Sequence, residues 1–154
     1  MGRSPGGLPY TCRMLDEGRV LLVDDEEELL LLLGDLLNAR NVETLCATNG
    51  QEALRLLEQQ TRGRKAPVSA VVCDWVMPVL DGVGMLRTMR AGEFRKIPFV
   101  LMSGAVSRDE LLGAIKYDPD AVLLKPFRIE ALCTKIEEAV QNRQRKELER
   151  AFKL

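Results

Sequence analysis

The chain has 154 residues, 46% of them hydrophobic and 29% charged, with 22 Lys and Arg against 23 Asp and Glu. That size and composition suit one soluble globular domain, and the near-balance of charge gives no general pull toward nucleic acid or an anionic membrane. There is no histidine, which excludes histidine-based acid–base chemistry and any phosphohistidine step on this chain.

Residues 1–17 are rich in Gly and Pro without periodicity and read as a flexible leader, with Met14 itself a sensible start. They lack the apolar stretch of a signal peptide, and Gly6 stands where a myristoylation signal wants Ser or Thr. No apolar run reaches the ~18 residues that span a bilayer. A cytoplasmic location is therefore expected. The four cysteines, Cys12, Cys46, Cys73 and Cys133, are scattered with no C-x-x-C pair. This argues against a sulfur-held metal or a disulfide framework, and Cys46, Cys73 and Cys133 are expected as buried thiols.

From Arg19 the pattern alternates between strand and helix. "RVLLVD" reads as a strand, and residues 26–39 as a helix that is acidic in its first turn. "VETLCAT" (42–48) is a second strand and "NGQEALRLLEQQ" (49–60) a helix with Ala53, Leu54, Leu56 and Leu57 on its inner stripe. "VSAVVCD" (68–74) is a continuous apolar strand of the kind buried on both faces of a parallel sheet. After the turn-rich "MPVLDG" come a helix over 82–91, a strand over 97–103, a helix over 107–116, a strand over 121–125 and a final helix from about Arg128. Five βα units in succession predict an α/β fold, a parallel sheet covered by helices on both sides. Ile129, Leu132, Cys133, Ile136 and Val140 dock the last helix on the core. Beyond it, residues 143–154 read as a charged, solvated helical extension. It is too short for a DNA-binding output domain and fits equally a single-domain protein and a piece of a longer one.

In such a sheet, ligands sit at the carboxyl ends of the strands. Those ends carry Asp24 and Asp25, Asp74, Ser103 and Lys125. Two like charges ~4 Å apart cost on the order of 4 kcal/mol at an effective dielectric near 20, so three converging carboxylates call for a cation. Oxygen-only ligands suit Mg2+. A carboxylate beside a divalent cation, a lysine and a hydroxyl is an arrangement for handling phosphoryl groups, with Asp74 as nucleophile. Each feature has a plainer reading taken alone. Adjacent acids cluster at helix starts, Lys125 could be a solvated lysine, and Ser103 a turn hydroxyl. Asp81 and Gly82 end the loop and start the third helix, and Trp75 is expected as a partly exposed neighbour of the site.

The ordered set "VDDE", "DWVMPVLDG", "SG" and "KPF" resembles the receiver domain of two-component response regulators over residues 18–142. The resemblance implies a doubly wound (βα)5, flavodoxin-like sheet of strand order 2-1-3-4-5. It implies that Asp74 accepts a phosphoryl group from the phosphohistidine of a sensor histidine kinase or phosphotransfer protein. Asp25 would contact Mg2+ directly, Asp24 largely through water, and Asp74 and the Val76 backbone carbonyl would complete the protein ligands. Lys125 would bridge acid and phosphoryl oxygens, Ser103 would be the switch hydroxyl, and Lys125–Pro126 would be cis. The implied partners are the kinase and a downstream target or output, with a homodimer face on the fourth and fifth helices. Nucleic acid and membrane are not expected as direct partners. Such a chain catalyses its own phosphorylation and dephosphorylation and is otherwise no enzyme.

The sequence departs from the family at two places. Val122 stands where receivers commonly carry Tyr or Phe, so the aromatic that swings inward on activation is missing. Val76 and Ala105, two residues after Asp74 and Ser103, are apolar and cannot orient water, which predicts slow hydrolysis of the acyl phosphate. Two other readings compete. A Mg-dependent phosphohydrolase of the haloacid-dehalogenase type wants two aspartates one residue apart on the first strand, whereas Asp24 and Asp25 are adjacent. A phosphate-independent pseudo-receiver usually lacks an acid or the lysine, and neither is missing here.

Overall fold

A computed structural model of the chain describes residues 18–62 and 67–153. The expected leader, with Cys12, lies outside the described residues. Five strands, β1 (Arg19–Val23), β2 (Glu43–Ala47), β3 (Val68–Asp74), β4 (Phe99–Ser103) and β5 (Ala121–Leu124), form one parallel sheet in the order β2-β1-β3-β4-β5. Between and after them run α1 (Glu27–Asn38), α2 (Gly50–Arg62), α3 (Gly82–Ala91), α4 (Arg108–Ile115) and α5 (Ile129–Phe152). This is the doubly wound, flavodoxin-like (βα)5 architecture expected from the sequence.

Successive strand residues point to opposite faces, and both faces are buried. Val20, Leu22, Ala70, Val72, Val100 and Met102 pack with α1 and α5, through Leu33, Leu37, Leu132 and Ile136. Their neighbours Leu21, Val23, Val71, Cys73, Phe99 and Leu101 pack with α2, α3 and α4, through Leu57, Leu86, Met89 and Ala114. The uninterrupted apolar runs of β1, β3 and β4 are thus the sequence image of a sheet with no wet face.

Three details differ from expectation. β4 begins at Phe99 and not at Ile97, because Pro98 has no N–H to give the ladder; its carbonyl still accepts from the Val71 N–H at 2.9 Å. Cys46 is exposed, whereas Cys73 and Cys133 are buried. It stands on the outermost strand beside Leu22, with no further strand beyond to cover it. Finally, α5 runs unbroken through the segment expected to be a solvated extension, and Arg143 within it is 2% exposed.

Arg143 reaches a buried cluster below the amino ends of β4 and β5. Its guanidinium donates to Asp118 Oδ2 at 2.7 Å and to Asp120 Oδ1 at 3.0 Å. Asp120, whose side chain is fully buried, also accepts from Arg90 Nη2 at 2.7 Å and from the Phe99 N–H at 2.8 Å. Lys146 donates to Asp118 Oδ1 at 2.6 Å. One carboxylate therefore ties α3, β4 and α5 together. No membrane-spanning helix is found among the described residues.

Candidate functional site

At the other end of the sheet, backbone hydrogen bonds continue past the strands and fix the residues that matter. The Asp24 N–H donates to the Ala47 carbonyl at 3.1 Å, the Trp75 N–H to Met102 at 2.9 Å, and the Lys125 N–H to Ser103 at 2.7 Å. The Gly82 N–H donates back to the Trp75 carbonyl at 2.9 Å and folds the loop 75–81 over the end of β3. A Cβ on Gly82 would lie 2.2 Å from the Asp74 carbonyl oxygen. Only glycine lets α3 start this close to the strand. Asp81 caps that helix, accepting from the Gly84 N–H at 2.7 Å.

Three acids predicted from the sequence converge. Carboxylate oxygens of Asp24, Asp25 and Asp74 all lie within 4.8 Å of one another. Asp24 is fully buried, Asp25 exposed, and the Asp74 side chain 13% exposed. Lys125 enters from β5, donating to Asp24 Oδ2 at 2.9 Å and lying 3.1 Å from Asp74 Oδ1. The second Asp24 oxygen accepts from the Glu26 N–H at 2.9 Å. Ser103 is buried at the end of β4, next to Met102, which lies beside Asp74. Lys125–Pro126 is cis. Val76 and Val79 are exposed in the loop after Asp74. Val79 holds φ at 71°, where a β-branched residue costs on the order of 1–3 kcal/mol. Trp75 is half-buried against the core, as expected.

The electrostatics follow from this crowding. Burial, then the Asp24 charge, raises the Asp74 pKa above the ordinary aspartate value, and Lys125 offsets only part of this. Burial alone would lower the Lys125 pKa, but its bonds to Asp24 and Asp74 overcome that and hold it above the usual lysine value. Asp74 thus gives up its proton at a higher pH than a free aspartate. Asp24→Asn is expected to bring the Asp74 titration to lower pH, since one repelling charge is gone and Lys125 is left to Asp74 alone. Carboxyl-carbon NMR reads this directly; an unchanged or higher midpoint would contradict the assigned balance.

An all-oxygen donor set with one buried, one half-buried and one exposed acid fits a hard divalent cation such as Mg2+. A sequence profile of the response regulator receiver domain matches residues 20–137. The chain belongs to that family. This receiver domain is 33% identical over 125 residues to the transcriptional regulatory protein PrrA of Mycobacterium tuberculosis, a match covering 81% of this chain and 51% of PrrA. It is 30% identical over 121 residues to a probable chemotaxis protein CheY of Rhizobium etli, covering 77% of this chain and 89% of that one. The chain spans about half the length of the PrrA relatives it matches. Among solved structures, a response regulator receiver domain protein from Clostridium thermocellum superposes with a TM-score of 0.72 at 26% identity, over 85% of this chain and 98% of that one. The receiver domain of Francisella response regulator 1452 gives 0.68 at 26% identity, over 84% and 98%. This is therefore a receiver domain of a two-component response regulator, a signalling module.

Proposed function

We propose that residues 18–142 act as a phosphorylation-operated switch whose acceptor is Asp74. The reading rests chiefly on one observation: the Asp74 carboxylate faces the Lys125 ammonium and shares its site with two further acids. A phosphohistidine on a partner kinase or phosphotransfer protein is the donor. An Asp74 oxygen attacks phosphorus, the P–N bond breaks, and the imidazole leaves with its electron pair and takes up a proton. Lys125 passes from the carboxylates to a phosphoryl oxygen, and the Ser103 hydroxyl donates to another. Asp25, Asp74 and the Val76 carbonyl would hold Mg2+ directly, with Asp24 acting largely through water, and the bound ion would supply charge neutralisation at the phosphoryl oxygens.

The test is incubation of the full chain with acetyl phosphate and Mg2+, followed by mass analysis of its peptides. One added phosphoryl mass is expected on the peptide containing Asp74, and none in Asp74→Asn. Equal labelling of both proteins overturns the assignment, and a chain that binds its partner equally well with Asp74→Asn is a phosphate-independent module.

The apolar side chains of Val76 and Ala105 leave no group at those positions to orient an attacking water. The aspartyl phosphate is accordingly long-lived, and Val76→Asn shortens its half-life several-fold. An unchanged half-life would show that Val76 does not set it. Val122, half-buried on β5, replaces the usual aromatic, so the change at Ser103 reaches the α4–α5 face by a different readout. That face is the proposed homodimer contact, and the target is a separate partner or an attached output. Residues 1–17 are the proposed leader, the part of α5 beyond the buried Arg143 the charged extension, and the cytoplasm the proposed location. The chain turns over no free substrate.

A further inference from the structure

An open groove of about 700 Å³ runs between α3 and the end of α4, on the helical layer away from α1, and reaches the last turns of α5. Arg87 on α3 and Lys116 at the α4 C-cap each stand 5.0 Å from the centroid of the Tyr117 ring. Neither has a carboxylate partner among the described residues. Two cations on one ring repel each other, and the ring's negative face offsets this only in part. Arg150 brings a third positive charge, with Glu147 3.9 Å away. The acid in the lining, Asp118, is committed to Arg143 and Lys146 at 2.7 and 2.6 Å. Arg90 at the base is likewise spent on Asp120 and on carbonyls of Arg95, Ile97 and Asp118. The free charge of the groove is therefore positive. Along α3, the exposed side chains on the groove at Thr88 and Ala91 are small.

We propose that this groove docks an acidic peptide segment of a partner protein, its carboxylates meeting Arg87, Lys116 and Arg150. The groove is open along its length, whereas small ligands are held in sites that enclose most of their surface. A chain segment can spread along α3 and use the separated cations together. Nucleic acid is the poorer fit: the unmatched cations are few, and the whole chain carries a net charge of -1. Arg150 belongs to the far end of α5, so its charge reaches the groove because that helix is long and held down at Arg143. The proposal does not depend on phosphorylation of Asp74.

Fluorescence anisotropy on the full chain tests it, with a labelled peptide rich in Asp and Glu that carries Leu at helical spacing. Saturable binding that weakens as salt is raised is expected. The double variant Arg87→Glu, Lys116→Glu should weaken it about tenfold or more. Lys135→Glu, a charge reversal on α5 outside the groove, should leave it unchanged, and circular dichroism verifies that each variant is folded. Absence of saturable binding, or equal binding by the double variant, overturns the proposal. So does a single-stranded oligonucleotide that binds more tightly than the peptide. Concentration-dependent self-association that the double variant abolishes would give the groove to a second copy of the chain and overturn it equally.

Discussion

Asp120→Ala is expected to lower the unfolding free energy by about 3–5 kcal/mol, the range for breaking a buried ion pair from one side. The side chain is fully buried and holds Arg90, Arg143 and Lys146 at 2.7, 2.9 and 3.3 Å. It is also the acceptor for the Phe99 N–H at the start of β4. Alanine leaves that N–H unpaired and strands positive charge in a site built around one carboxylate. Since domains of this size are stable by roughly 5–15 kcal/mol, the variant should show a far lower urea midpoint. Asp120→Asn, which keeps an acceptor for Phe99 but loses the charge, should fall between. A loss below about 1 kcal/mol for the alanine variant would show that the cluster contributes little. The same cluster has a pH signature. Burial would raise the Asp118 pKa, but Lys146 and Arg143 overcome it and hold it below the ordinary value. The stability Asp118 supplies is then full above its unfolded value of about 3.9 and disappears as pH falls through the depressed folded value. Asp118→Asn should flatten this acid limb.

Lys125→Met is the variant that most sharply separates two properties of the site. Its ammonium touches both Asp24 and Asp74, so it competes with a bound cation for the same oxygens. It is also the charge placed to meet a phosphoryl group. Removing it should raise Mg2+ affinity and yet slow phosphorylation by acetyl phosphate by about 10²–10³-fold, the usual cost of losing one preorganised donor to a developing charge. Trp75 is the chain's only tryptophan and follows Asp74, so its emission during a Mg2+ titration reads the first property. Intact-mass kinetics read the second. A phosphorylation rate within about tenfold of wild type, equal to about 1.4 kcal/mol of barrier, would remove Lys125 from the proposed chemistry.

The two ends of the sheet were unequally legible. Residues at the carboxyl ends lie in short motifs directly after apolar strands, so Asp24, Asp25, Asp74, Ser103 and Lys125 could be placed at strand ends from the succession of βα units alone. Their convergence follows from a parallel sheet, which brings every such end to one edge. The cluster at Asp120 gave no comparable signal. Its members come from α3, the turn before β5 and the far part of α5, and each looks like an ordinary solvated charge among other charges. One clue was present: Ile136, Val140 and Arg143 are spaced i, i+4, i+7, which puts the arginine on the inward stripe of the helix. Charge masked it, because a buried arginine is expected only where a carboxylate waits, and nothing local announces that Asp118 and Asp120 do. The close approach at Gly82 was hidden for a similar reason. "DG" marks a turn anywhere, and only the fold brings the Asp74 carbonyl against it.

The fastening of α5 at Arg143 makes that helix a lever. Its 24 residues extend about 36 Å at 1.5 Å per residue, and the hydrogen-bonded ladder of a helix transmits tilt without absorbing it. A shift of the β4–β5 ends against α3 that tilted α5 about its packed amino-terminal half would carry Leu148 and Phe152 further than Arg143 itself.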